Sequence, residues 1–174
     1  MNYHKIDKCS ISNGIGIRTV LWVSGCSHNC PGCHNPQTHD PNNGKLFDEK
    51  AKEELFDNLS KPYIDGVTFS GGDPLYYTNA QTIIQLSKEI KEKFPNKTIW
   101  LYTGYDFDYL VLNDDWRKDI FDYIDIMVDG GYVEKLRDIT LPFRGSSNQR
   151  IIDINKSKSI GLAKAVLWEG DTNE

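Results

Sequence analysis

No apolar run in this 174-residue chain approaches the roughly 20 residues that a helix needs to cross a bilayer. Its start, MNYHKIDKCS, has neither an apolar signal core nor an Arg-rich amphipathic stretch, so the expected location is the cytoplasm. Positive charge is in deficit. With 20 Lys and Arg against 25 Asp and Glu, the net charge of −5 argues against a coat for nucleic acid or for anionic membrane. Cysteine is scarce, four residues in all, and in a reducing compartment structural disulfides are rare. No internal repeat or low-complexity linker divides the chain. Residues 1–174 are therefore expected to form one domain, with the tail from about 155 as its least patterned part.

What is present is concentrated. Three of the four cysteines fall within GCSHNCPGCHN (25–35), as Cys26, Cys30 and Cys33 in the spacing C-x3-C-x2-C. Clustered cysteines in such a compartment bind metal or do chemistry more often than they pair. Gly25 and Gly32 allow close backbone approach, and Pro31 stiffens the turn between the last two sulfurs. One reading is structural zinc, which needs a fourth ligand from Cys9, His28 or His34 and would make the protein a binding module without catalysis. The other is a [4Fe–4S] cluster, for which thiolates are the usual ligands; three thiolates leave one of four irons open to a reactant. His34 directly follows Cys33, an awkward position for chelating the same ion.

Around this loop, short apolar runs alternate with helical patterns. Strands are expected at 18–25, 66–72, 98–105, 124–131 and 149–154, and a sixth strand or terminal helix at 163–168. Helices are expected at 48–59, with Asp48 as N-cap, at 78–94, with Thr78 and Gln81 as a capping box, and around 116–123. Alternation of this kind predicts an α/β fold with five or six mostly parallel strands, too short a chain for eightfold closure and hence an open partial barrel. Three strands run into SGCSHNC, SGGDP and TGYD, all at the C-terminal strand ends where such sheets bind ligands.

The cysteine spacing resembles the signature of the radical S-adenosylmethionine enzymes. NGIGIRTVLWVSGC (13–26) and SGGDP (70–74) are similar to segments of their glycyl-radical activating branch. CPGCHN, WLYTGY, MVDGGY and FRGSSNQ look most like the activators of anaerobic ribonucleoside-triphosphate reductase, over about residues 2 to 152. The resemblance implies a partial (β/α) barrel of the radical S-adenosylmethionine type and a [4Fe–4S] cluster on Cys26, Cys30 and Cys33. S-adenosylmethionine would bind at the open iron, with Gly32, Cys33, His34, Gly71, Gly72 and Asp73 around it. One-electron cleavage of the sulfonium then yields a 5′-deoxyadenosyl radical.

The implied partners are the large glycyl-radical subunit of the reductase and a one-electron donor such as flavodoxin. An activator of another glycyl-radical enzyme, or a small-molecule synthase of the same superfamily, is the enzymatic alternative. His34 stands where tyrosine is frequent in the family, and Ile15 where proline is. Asp73 has two readings of equal weight, orienting the ligand amine or initiating a turn before Pro74. Arg144 either holds a carboxylate or positions a loop. His4, His28 and His39 are expected to be solvated or structural. Tyr76, Tyr77, Trp100 and Trp168 are expected to be core or interface aromatics, and Asp106, Asp108, Asp114 and Asp115 a solvated face.

Overall fold

The computed structural model describes residues 1–170; residues 171–174, the end of the expected 1–174 domain, lie outside the described residues. Seven strands form one sheet: β1 (Asn2–Ser10), β2 (Arg18–Val23), β3 (Lys45–Leu46), β4 (Gly66–Gly71), β5 (Thr98–Tyr102), β6 (Ile126–Asp129) and β7 (Arg150–Asp153). Their order is β3-β1-β2-β4-β5-β6-β7, with β3 and β7 as the end strands. β2, β4, β5 and β6 are parallel neighbours, whereas β1, β3 and β7 join antiparallel. The expectation of five or six mostly parallel strands is corrected in number and in direction at both flanks. Each connection between the four inner strands carries an α-helix, as parallel neighbours usually do, whereas the 130–149 link into β7 carries only a 3₁₀ turn.

The helices are α1 (Glu49–Leu59), α2 (Ala80–Lys93), α3 (Phe107–Leu112) and α4 (Ile154–Ser159). Asp48 caps α1 as expected, accepting from the Ala51 amide at 3.0 Å. The capping box of α2 does not form. Its N-cap is Asn79, whose side chain caps nothing and instead donates to the carbonyls of Ser24 (2.7 Å) and Asp73 (3.0 Å). The expected helix around 116–123 is a 3₁₀ segment, Trp116–Asp122. The segment at 163–168 becomes neither helix nor full strand: Leu167 makes a single antiparallel bridge to Ile152. The acidic residues expected as a solvated face are partly engaged, Asp108 with Arg150 (2.8 Å) and Asp115 with Arg117 (2.6 Å).

Period-2 alternation sorts the inner strands into two faces. Leu21, Val23, Val67, Phe69, Ile99, Leu101 and Met127 join the main core with Leu55, Leu59, Ile83, Ile90, Phe107 and Leu110 from the first three helices. The other face carries a smaller cluster, Trp100, Ile126, Val128 and Ile151, with Ile15, Tyr102, Phe143 and Trp168 packed against it. Helices thus cover one side. On the other side, a cavity of about 470 Å³ runs along the strands toward their C-terminal ends.

Candidate active site

The cysteine loop is an extension of β2. Gly25 takes φ +102°, and its amide donates to the Thr38 carbonyl (2.8 Å), while the Cys26 amide donates to that of His39 (3.0 Å). These two bonds bring the chain back after the 3₁₀ turn Pro36–Thr38, closing a short loop around the sulfurs. Within it, Asn29 (φ +46°) and Gly32 (φ +72°) take left-handed backbone, and the Cys33 amide bonds the Cys30 carbonyl (3.0 Å). Cys26, Cys30 and Cys33 are free thiols, each partly exposed, and all three line the cavity. Burial pushes the Cys26 thiol up to about 11, so its thiolate needs a cationic partner such as iron. Among the described residues, no three His, Cys, Asp or Glu side chains converge on the position of a single metal ion. A zinc ion would need four such donors, whereas a cluster takes each thiolate on a different iron. The residues present fit the cluster.

Four other loops complete the wall, and one buried carboxylate ties three of the five together. Asp73, 2% exposed, follows β4. Its Oδ2 accepts from His28 Nε2 (2.6 Å) and the Gly104 amide (3.0 Å), and its Oδ1 from the Leu75 amide (2.8 Å). Thr103 Oγ1 lies within 2.9 and 3.0 Å of the two oxygens. The carboxylate is thereby fully engaged by protein donors. Through Leu75 it initiates the turn at Pro74, one of its two expected parts, with the Tyr76 amide donating to the main-chain carbonyl of Asp73 (2.9 Å). Through His28, Thr103 and Gly104 it joins the cysteine loop to the loop after β5. Gly104 is required for this junction, because a Cβ there would lie 2.5 Å from the His28 ring. His28 also meets Tyr105 edge-on, with ring centroids 4.7 Å apart.

The remaining wall comes from the loop after β6 and from FRGSSNQ. Gln149 Nε2 donates to the Gly130 carbonyl (3.0 Å), its Oε1 accepts from the Gly145 amide (2.9 Å), and Asn148 Nδ2 donates to the Gly131 carbonyl (2.8 Å). Gly131 faces Cys30, with its absent Cβ 3.5 Å from Sγ. Two buried donors of the wall, Trp22 Nε1–H and Arg144 Nε–H, have no partner among the described residues.

Of the residues expected around the cofactor, Cys33, His34, Gly71, Gly72 and Asp73 line the cavity with the other two cysteines; Gly32 does not, and its missing side chain faces Glu134. His34 leans on Tyr132, centroids 5.1 Å apart. At Gly72 a Cβ would lie 2.6 Å from the Gly25 carbonyl and 3.0 Å from that of Thr38, so this glycine is demanded by the cysteine loop itself. Cys9 is exposed on β1, outside the cavity. Sequence reasoning marked TGYD as a ligand-edge loop without giving Thr103 or Gly104 a part, and missed Trp22 and Asn79. A second groove, about 870 Å³, lies on the helical side between Phe47, Lys52, Gln85 and Trp116; neither cysteine nor histidine lines it.

A family model described as a 4Fe-4S single cluster domain matches residues 12–152. A protein of Enterobacteria phage T4 named anaerobic ribonucleoside-triphosphate reductase-activating protein is 44% identical, over 87% of this chain and 93% of its own. Relatives of the same name from Escherichia coli (strain K12) and Haemophilus influenzae are 40% and 37% identical. They cover 86% and 87% of this chain and 96% and 97% of their own. With the cysteine loop inside the matched region, the chain belongs to the 4Fe-4S single cluster domain family and to the anaerobic ribonucleoside-triphosphate reductase-activating proteins within it.

Proposed function

We propose that this protein is a glycyl-radical activating oxidoreductase whose substrate is the large subunit of anaerobic ribonucleoside-triphosphate reductase. The observation that carries the reading is the meeting of three free cysteines with five strand-end loops around one cavity, in a chain whose relatives bear that name. Cys26, Cys30 and Cys33 hold the cluster, and S-adenosylmethionine fills the cavity beside it. When bound, the pair would supply one-electron reductive cleavage of a sulfonium carbon–sulfur bond, the electron coming from the cluster, the chemistry of the radical S-adenosylmethionine enzymes.

The chain's own residues position and shield. His28, Asp73 and Thr103 keep the cysteine loop in register with the ends of β4 and β5. Gly130 and Gly131, where an added Cβ would meet nothing nearer than 3.5 Å, leave room for a ligand to approach the backbone closely, whereas Gly71, Gly72 and Gly104 are required by the protein's own packing. Main-chain groups at Gly71 and Gly72 face the amino-acid part of the ligand, and His34 its adenine. The sheet is open at β3 and β7, which supports a partial (β/α) barrel of the radical S-adenosylmethionine type. Such a barrel leaves a side through which a macromolecular Cα–H can reach the bound ligand, as proximity demands. The chain acts as one domain in the cytoplasm and takes its electron from a donor such as flavodoxin.

The test is electron paramagnetic resonance on anaerobic, reduced protein with S-adenosylmethionine. A glycyl doublet is expected only when the reductase large subunit is added, with one 5′-deoxyadenosine per radical. Catalytic turnover of a small molecule, with the reductase left radical-free, sinks the assignment and favours a synthase of the same superfamily.

A further inference from the structure

Among the side chains lining the cysteine cavity, Arg144 is the one Lys or Arg. It makes no ion pair among the described residues. Its guanidinium is nevertheless held in place, with Nη1 donating to the Gln149 carbonyl at 2.7 Å. The backbone before it is pinned as well. Phe143 takes left-handed φ (+56°), and its carbonyl accepts from Tyr102 Oη at 2.7 Å. Burial pushes the Tyr102 phenol well up, which keeps it a donor. Gln149 clamps the following residue through the Gly145 amide. An arginine oriented in this way retains a buried Nε–H with no acceptor among the described residues. Trp22 Nε1–H, contributed by β2 to the same wall, is also unpartnered. Orphaned buried donors are rare in folded proteins and mark the place of an absent acceptor. The cavity's own carboxylate is not that acceptor, because His28, Thr103, Gly104 and Leu75 already engage Asp73.

We infer that Arg144 is the anion anchor of the cavity and takes the carboxylate of the ligand's amino-acid part. The inference rests on the reading above that S-adenosylmethionine binds here. Of that ligand's charged groups, the amine and the sulfonium are cationic and are repelled by a guanidinium; only the carboxylate is attracted. A guanidinium fork matches a carboxylate in shape as well as charge, and a carboxylate has a second oxygen free for another partner. Arg144 is thus a binding and specificity residue: it sets which end of the ligand lies against FRGSSNQ. The pinning by Tyr102 and Gln149 gives this distinctive segment its purpose, since a mobile arginine loses more freedom on binding.

The experiment compares two ligands on anaerobic, cluster-reconstituted protein by calorimetry or competition binding. One is S-adenosylmethionine; the other is its decarboxylated analogue, which lacks only the carboxylate. Arg144→Gln is expected to weaken S-adenosylmethionine about 10- to 100-fold, the usual range for a charge-assisted hydrogen bond, and the analogue less than about 3-fold. Arg144→Lys, which keeps the charge without the fork, should fall between. Iron content and circular dichroism serve as folding controls; if Arg144→Gln fails them, the Arg144→Lys ratio alone decides. Equal losses for both ligands, or none, overturn the inference while leaving the proposed function standing. Wild-type protein that binds neither ligand brings down both together.

Discussion

The two ends of the parallel strands each bury one charged side chain as a hub, and the two hubs are built for different purposes. At the strand starts, Arg18 is fully buried. It donates to the carbonyls of Ile15, Val67 and Thr98 and to the hydroxyls of Thr68 and Thr98, at 2.7 to 3.0 Å. Among the described residues no carboxylate pairs with it, and burial pulls it down to about 10. All five of its N–H donors are satisfied by neutral acceptors, so it serves to lock the 11–17 loop beneath β2, β4 and β5. At the strand ends, Asp73 is equally buried, but its partners belong to the loops that carry the cysteines and line the cavity. Arg18 supports the sheet. Asp73 supports the site.

Substitutions should separate the two roles. Arg18→Ala removes five hydrogen bonds and leaves both a cavity and stranded carbonyls; a loss of about 4 kcal/mol is expected in urea or guanidinium unfolding of the metal-free protein. Folded Arg18→Ala should still retain iron against a chelator as the wild type does. If iron is lost in step with stability, the two ends are not separable. Asp73→Ala strands His28 Nε2–H, Thr103 Oγ1–H and the amides of Leu75 and Gly104. About 2–3 kcal/mol is expected here, with much faster iron release under the same chelator challenge. An iron half-life equal to that of the wild type would remove Asp73 from the site.

His28→Ala sharpens the contrast. It deletes one arm of the Asp73 hub while Thr103 and Gly104 remain bound, so a loss of about 1 kcal/mol and an intermediate iron half-life are expected. The smallest effect is expected at Cys9, exposed on β1. Cys9→Ser should alter stability by less than about 0.5 kcal/mol and keep the full iron content, whereas serine at Cys26, Cys30 or Cys33 should not. Iron loss at Cys9 matching the other three would contradict the three-thiolate site.

Legibility followed the range of the interactions. Buried parallel strands announce themselves as continuous apolar runs, so RTVLWV, GVTFSG, TIWLY and IMVD were located to within a few residues. β1 escaped notice because NYHKIDKCS is mostly polar and its register against β2 is interrupted twice, which spoils the period-2 pattern. The capping box of α2 failed for a tertiary reason: the buried Asn79 is drawn to the carbonyls of Ser24 and Asp73, and the helix start follows it. Trp168 shows the same limit. Its indole packs against Trp100 and Phe143, far away in sequence, and no local pattern announced that contact.

The sequence by itself determined the clustering of three thiols and the α/β class, because a thiol triplet within eight residues and the alternation of strand and helix are local properties. Tertiary structure alone decided that His28, Asp73 and Thr103 meet, that FRGSSNQ closes the same cavity, and that Arg144 enters it with a donor unpaired. Those groups lie about 30 to 115 residues from one another or from the cysteines they serve. Hydrogen bonds of that reach exist only once β2, β4, β5 and β6 stand side by side and bring their C-terminal ends to one edge.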